Sequence, residues 1–209
     1  MEVTLVSYTQ NPDRVVAQAA RVCYSQSTAF ECFNRDDEDP GNDYKDWSLI
    51  KKLKESGHMS PFEHVSFTFS VDGLSRVASH QLVRHRMASY SQKSQRYTTS
   101  SNTKLIVPPS VRNNLEVKAI FDHVQEEAIQ TYNELLILGI PKEDARFILP
   151  HGMDTSIVFT MNARSLFNFF NLRLCNRAQR EIQVLAMNML FQVSDVAPEI
   201  FNNSGPNCV

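Results

Sequence analysis

From Val83 to Tyr97 the chain reads VRHRMASYSQKSQRY. Arg84, His85, Arg86, Lys93 and Arg96 stand among Ser89, Ser91, Gln92, Ser94 and Gln95, and no acidic residue occurs from Gly73 through Leu115. That composition suits anions. Successive side chains diverge by about 100° on a helix and alternate faces on a strand, so Arg84, His85 and Arg86 serve different directions. One ligand needs no such fan, whereas two or three anionic ligands meeting at one place do.

Upstream, Leu74, Val77, Ala78, Gln81 and Leu82 recur at helical spacing, so the basic stretch leaves the end of a helix, where positive side chains suit the macrodipole. Asp72-Gly73 reads as a turn before it. His64 to Val71 (HVSFTFSV) alternates cleanly, with Val65, Phe67, Phe69 and Val71 on the buried face of a strand. At the N-terminus Val3 to Tyr8 reads as a short strand, and Asn11-Pro12 as the start of a helix reaching about Tyr24. Glu31 to Asp46 carries seven acids around Pro40-Gly41 and reads as an acidic loop or insertion. An amphipathic helix follows from Asp46 to Gly57.

Downstream, Leu105 to Val107 is a brief strand closed by Pro108-Pro109, and Val111 to Leu138 is the longest helical pattern, ended by Gly139. Its apolar face needs a partner. Pro141 opens a short helix with acids in its first turn, Thr155 to Thr160 is a strand, Asn162 caps the next helix, and Gln179 to Phe191 is a final amphipathic helix. No repeat or linker divides the 209 residues, so the expected architecture is a single α+β domain over 1–209, a mixed or antiparallel sheet packed by long helices.

Several function classes fit poorly. No apolar run approaches the roughly 20 residues of a spanning helix, and MEVTLVSYTQ lacks the layout of a secretory signal. Cys23, Cys32, Cys175 and Cys208 are scattered without C-x-x-C spacing, as expected of cytoplasmic thiols and not of a disulfide framework or zinc knuckle. A formal net charge of -2 gives no whole-chain attraction to nucleic acid.

Three groups of residues could carry chemistry. On a continuous helix Arg164, Asn168 and Asn171 form one polar stripe, while Arg173, nine positions beyond Arg164, points about 180° away, so the two arginines serve different groups. His58 and His64 flank Ser60-Pro61-Phe62-Glu63, but their spacing across a proline gives no shared helical face for a metal. Ser94 has the chemistry of a nucleophile, yet no base and orienting group of a triad are visible in the sequence.

Arg84-His85-Arg86, then Ser94 after seven residues, then Arg96-Tyr97 resembles the signature of flavin-dependent thymidylate synthases. HMSPFEH (His58 to His64) upstream and NARSLFNFFNLR (Asn162 to Arg173) with Ala178-Gln179 downstream follow in the order that family uses, and together the blocks span most of the chain. The resemblance implies an α+β enzyme that methylates dUMP to dTMP, with 5,10-methylenetetrahydrofolate as carbon donor, FAD as hydride carrier and NADPH as reductant. It implies a homotetramer whose active sites draw on several subunits.

Carried over residue by residue, the resemblance makes Arg173 and His58 catalytic-site residues, Arg173 facing the uracil ring and His58 lying beside flavin and folate. Cofactor contacts fall to Ser60, Glu63, Arg84, His85, Arg86, Gln92, Asn162, Arg164 and Asn168. Substrate contacts fall to Gln81, Arg84, Gln92, Ser94, Arg96, Arg146 and Arg173, with Arg146 reaching the dUMP phosphate from a neighbouring subunit. Ser91 stands where some members have Asn, Lys93 where an apolar residue is frequent and Arg177 where some have His, so flavin-ring contacts through Ser91 and Arg177 are not carried over. Two other classes stay open: an RNA-binding module stacking bases on Tyr90 and Tyr97, and a flavoprotein reductase indifferent to nucleotides.

Overall fold

The computed structural model describes residues 1–34, 42–101 and 103–208. In chain order the elements are strand β1 (Glu2–Tyr8), helices α1 (Pro12–Val22), α2 (Ala29–Phe33) and α3 (Asn42–Ser56), a 3-10 turn (Ser60–His64), β2 (Ser66–Ser75), α4 (Arg76–Leu82), β3 (Ala88–Gln92), α5 (Pro109–Arg112), α6 (Leu115–Ile137), α7 (Lys142–Ala145), a second 3-10 turn (Arg146–Ile148), β4 (Asp154–Asn162), α8 (Ala163–Arg173), α9 (Arg180–Val196) and α10 (Pro198–Phe201). The four strands form an antiparallel sheet in the order β1-β2-β4-β3, the α+β class expected. Two compact units are distinguished: Met1–Glu2, Val71–Arg84 and Tyr90–Val158 make the first, and Val3–Ser70, His85–Ser89 and Phe159–Val209 the second.

In the second unit the alternation expected from His64 onward is realised in burial, with Val65, Phe67 and Phe69 fully buried and Ser66 exposed, but β2 opens at Ser66 and His64 closes the preceding 3-10 turn. On the opposite face the hydroxyls of Thr68 and Thr160 bond across β2 and β4 at 2.9 Å. Phe69 stacks on Phe159 with ring centres 5.5 Å apart, and Phe67, Phe167 and Phe170 surround Phe201 at 5.4, 5.5 and 5.9 Å. Such aromatic pairs contribute about 0.5–1.5 kcal/mol each beyond the area they bury. Pro12 opens α1 as expected, but Asn11 does so in a left-handed conformation (φ 47°) without a side-chain cap. The acidic stretch Glu31 to Asp46 falls partly at 35–41, outside the described residues; its described ends are helical, in α2 and α3.

In the first unit β2 does not stop at Asp72-Gly73 but runs on to Ser75. Gly73 adopts φ 72°, the left-handed region open to glycine, so the strand bends there instead of ending. The Ser75 hydroxyl accepts from the Ala78 amide at 3.0 Å and starts α4. The single helix expected from Val111 to Leu138 is two, because Asn114 accepts from the amides of Glu116 and Val117 at 3.1 and 3.2 Å and begins a new helix. Of α6 only Tyr132 is fully buried, packing with Ala145, Leu149 and Met153 against Leu105, Leu135 and Leu136. Leu115, Ile120 and Val124 are 84%, 64% and 58% exposed, so the N-terminal part of the apolar face is left uncovered in the chain itself.

Strand β1 lies at the sheet edge, and α9 of the second unit supplies the bonds its free side lacks. Gln192 Oε1 accepts from the Leu5 amide at 2.6 Å, and Gln192 Nε2 donates to the Val3 carbonyl at 2.9 Å. Gln192→Ala is therefore expected to destabilise the protein by about 1–3 kcal/mol. An unchanged urea midpoint would show that β1 holds its place without this clamp.

Candidate active site

The second unit assembles its polar groups at the ends of β2 and β4. Asn162 Oδ1 accepts from the Ser165 amide at 2.9 Å, so the last residue of β4 caps α8 as the sequence predicts. Arg164, in the first turn of α8, pairs through Nη1 with Glu63 Oε1 of the 3-10 turn before β2. Both are largely exposed, and such a pair contributes about 0–1 kcal/mol. His58, Ser60 and Asn168 are exposed. Arg173, at the far end of α8, meets a different partner from Arg164, as its helical position requires.

That partner is His85. Arg173 Nε donates to His85 Nε2 at 2.9 Å, which leaves the imidazole proton on Nδ1. The ring is buried, 9% exposed, and packs edge-on against Phe169 at 4.9 Å. Burial first, and the Arg173 charge second, lower its pKa to about 4. At neutral pH His85 is uncharged, so it orients the Arg173 guanidinium without neutralising it. Its neighbours in sequence, Arg84 and Arg86, are exposed. No carboxylate pairs with Arg84 or Arg86 among the described residues.

The first unit gathers another set around the end of β3. Gln92 Nε2 donates to Ser79 Oγ at 3.0 Å and to Thr155 Oγ1 at 3.3 Å, which directs the amide into the unit. Ser94 Oγ accepts from the Arg96 amide at 3.2 Å. Among the described residues no imidazole or carboxylate bonds to Ser94, so the nucleophile reading lacks its base. Glu143 joins two arginines: its carboxylate takes Arg96 Nε and Nη2 at 3.0 and 2.8 Å, and its carbonyl takes Arg146 Nε at 3.0 Å. Arg96 also lies over the Tyr97 ring at 5.6 Å. Gln81 is half-buried on α4 of the same unit, where Arg84 is exposed.

Sequence reasoning missed β3, because ASYSQ alternates between small and polar side chains and offers no apolar period. It also missed Glu143, Ser79 and Thr155, which reach the site residues through contacts between distant segments. Among the described residues no three His, Cys, Asp or Glu side chains form a metal-holding group, and no helix is long and apolar enough to cross a membrane.

Comparison with known proteins adds an independent finding. The sequence profile of the family described as "Thymidylate synthase complementing protein" (Thy1) matches residues 4–199. Proteins named flavin-dependent thymidylate synthase are similar over the whole chain: that of Geobacter sulfurreducens is 44% identical over 211 residues, covering 100% of this chain and 89% of the relative. That of Clostridium tetani is 42% identical over 225 residues, with 100% and 88% covered. The Sulfolobus acidocaldarius protein is 43% identical over 211 residues, with 100% and 78% covered.

The neutral state of His85 has a measurable consequence. An unfolded imidazole protonates near 6.5 and the folded one near 4, so between those values the unfolded state binds more protons. This contribution to stability is complete above about pH 6.5 and is lost as pH falls toward 4, by about 1–3 kcal/mol once solvent screening is allowed for. His85→Gln should remove that part of the slope. Urea midpoints at pH 7 and pH 4.5 for both proteins test this, and an equal acid loss in the variant would acquit His85.

Proposed function

Because the chain belongs to the Thy1 family of flavin-dependent thymidylate synthases, we propose that it methylates dUMP to dTMP as an FAD-dependent enzyme, with 5,10-methylenetetrahydrofolate as carbon donor and NADPH as reductant. The observation that carries the reaction to particular residues is Arg173 held by a neutral His85. An uncharged imidazole at this position fixes the direction of the guanidinium without adding a negative charge beside it.

The residues present fit a flavin dinucleotide. Arg86 is an exposed guanidinium with no carboxylate partner among the described residues, suited to a phosphate, and Ser60 and Asn168 are exposed hydrogen-bonding side chains in the same unit. With them we assign His58, Glu63, Asn162, Arg164, Arg84, His85 and Gln92 to the cofactor and folate region. When bound, FAD supplies the hydride that reduces the transferred carbon.

On the substrate, Arg173 faces the uracil ring and stabilises negative charge that develops on its carbonyl oxygen as C5 bonds the methylene carbon, whose bond to the folate nitrogen breaks while the C5 proton leaves. Gln81, Arg84 and Gln92 orient the nucleotide, and Ser94, Arg96 and Arg146 take its phosphate. No enzyme nucleophile is required, in keeping with Ser94 acting as an acceptor for the Arg96 amide. The residues hold and orient anions and do not attack. We take the whole chain as one family domain working in the cytoplasm, with its cysteines as thiols.

Recording the visible flavin band of the purified protein and adding dUMP and NADPH without oxygen tests this reading. Bleaching that requires dUMP is expected; NADPH oxidation indifferent to dUMP would favour the reductase, and a protein unable to take up FAD would favour RNA binding. In the same assay with folate present, Arg173→Ala should lower dTMP formation by about 10²–10³-fold or more, while Ser94→Ala stays within about tenfold. Turnover abolished by Ser94→Ala with dUMP binding retained would restore a nucleophile.

We also propose a homotetramer whose active sites draw on several subunits. The exposed Leu115, Ile120 and Val124 of α6 support association, since an apolar helix face is ordinarily covered. Ile120→Glu combined with Val124→Glu should shift the sedimenting species to a smaller one. Unchanged sedimentation would place the interface elsewhere.

A further inference from the structure

Cys175 and Cys208 stand far apart in the sequence but meet in the second unit, where one residue touches both sulfurs. The Asn176 amide donates to Cys208 Sγ at 3.3 Å, and the Cys175 thiol faces Asn176 Oδ1 at 3.8 Å. The Cys208 side chain is also hydrogen-bonded to the Cys175 sulfur. Both are free thiols and half-buried, whereas Cys23 is exposed and Cys32 is buried. Their spacing in the chain hides the pair, because it forms only when the segment after α10 folds back on the end of α8.

Hydrogen bonds hold both segments in place. Past the end of α8 the Cys175 carbonyl accepts from the Ala178 amide at 2.9 Å and from Gln183 Nε2 of α9 at 2.6 Å. The segment after α10 docks on α8 through the Asn207 amide, which donates to the Asn171 carbonyl at 3.2 Å. An S–S bond here joins segments that are already docked. A metal would need further ligands, and among the described residues no third His, Cys, Asp or Glu completes a metal-holding group around these sulfurs. What two adjacent thiols can do without a third ligand is thiol-disulfide exchange.

We propose that Cys175 and Cys208 are a reversible dithiol/disulfide pair that ties the segment after α10 to the end of the helix carrying Arg173. The two sulfurs are not equivalent. The hydrogen bond from Cys208, then one from the Arg177 amide, and the Arg177 charge together hold the Cys175 thiol below its ordinary pKa, against the effect of burial. Cys175 is therefore the attacking sulfur. With a low-molecular-weight disulfide as oxidant, the Cys175 thiolate bonds to one of its sulfurs and expels the other as a thiolate. Cys208 then attacks the Cys175 sulfur, gives up its proton and displaces the second small thiol. Two protein thiols are oxidised and one small disulfide is reduced to two thiols. The new bond closes a loop that holds α9 and α10. In reducing surroundings both residues remain thiols, so the bond registers oxidation and does not build the fold. The chemistry is the same whatever the substrate of the enzyme.

Native protein incubated with oxidised glutathione, alkylated and measured by intact mass and peptide mapping tests the proposal. Wild type should lose about 2 Da and yield one cross-linked peptide pair joining Cys175 to Cys208 within a single chain. Reduced glutathione in excess should restore both thiols. The oxidised form should melt about 4–12 °C above the reduced one, since the bond closes a long loop between docked segments. Cys208→Ser should stop at a glutathione adduct on Cys175, and Cys175→Ser should react at Cys208 at least about threefold more slowly.

Wild type that keeps both thiols, that holds glutathione on Cys175 without closing the bond, or that cross-links only between chains overturns the proposal. So does an oxidised form that melts no higher than the reduced one. Cys175→Ser reacting as fast as wild type overturns the assignment of Cys175 as the attacking sulfur. Should either variant not fold, the wild-type peptide map still decides. None of these outcomes depends on dUMP, folate or flavin, so a failure here and a failure of the thymidylate reading are told apart.

Discussion

Strand β2 can bury only one of its faces, and the other features of the chain follow from how that is met. Val65, Phe67, Phe69 and Val71 are all fully buried, so a slip of one residue would exchange four apolar side chains for polar ones. The register is therefore rigid, and so are the places where the strands end. In the second unit the 3-10 turn with Ser60 and Glu63 leads into β2, and Asn162 closes β4 by capping α8. In the first unit β2 ends at Ser75, which caps α4. Polar side chains that a ligand could use are thus carried on the ends of elements whose interiors are apolar and fixed.

A second constraint concerns how cations are held. Arg173 is bonded by a neutral imidazole and Arg76 by a backbone carbonyl. A neutral acceptor orients a guanidinium without placing a negative charge beside it. Arg96 and Arg164 differ, being paired with Glu143 and Glu63. Both pairs are exposed enough that an anion can compete for the guanidinium.

His85 shows how placement changes a residue's chemistry. In a run of Arg-His-Arg the imidazole counts as one more cation, and it was expected in a grip on anions. Burial against Phe169 and the Arg173 charge keep it neutral, so it contributes a lone pair in place of a charge. Arg84 and Arg86, which stay exposed, retain the character their composition implies. Glu143 likewise reads as an ordinary acid in the first turn of a short helix, yet it touches Arg96 and Arg146 because α7 lies across from the end of β3 within the first unit.

Much of this protein is determined by local sequence. The alternation of β2, the cap at Asn162, the proline start of α1 and the opposition of Arg164 to Arg173 follow from side-chain periods and hydrogen-bonding capacity, which act over a few residues. Three kinds of feature do not. Gly73 passes through a strand because a left-handed glycine can bend it, β3 pairs although its side chains show no apolar period, and Asn114 breaks a pattern that periodicity alone would continue. The protonation of His85, the tie from Arg76 to Lys93 and the bridge at Glu143 belong to the tertiary structure alone. Each depends on desolvation or on contact between segments far apart in the chain, and neither quantity is written in the order of the residues.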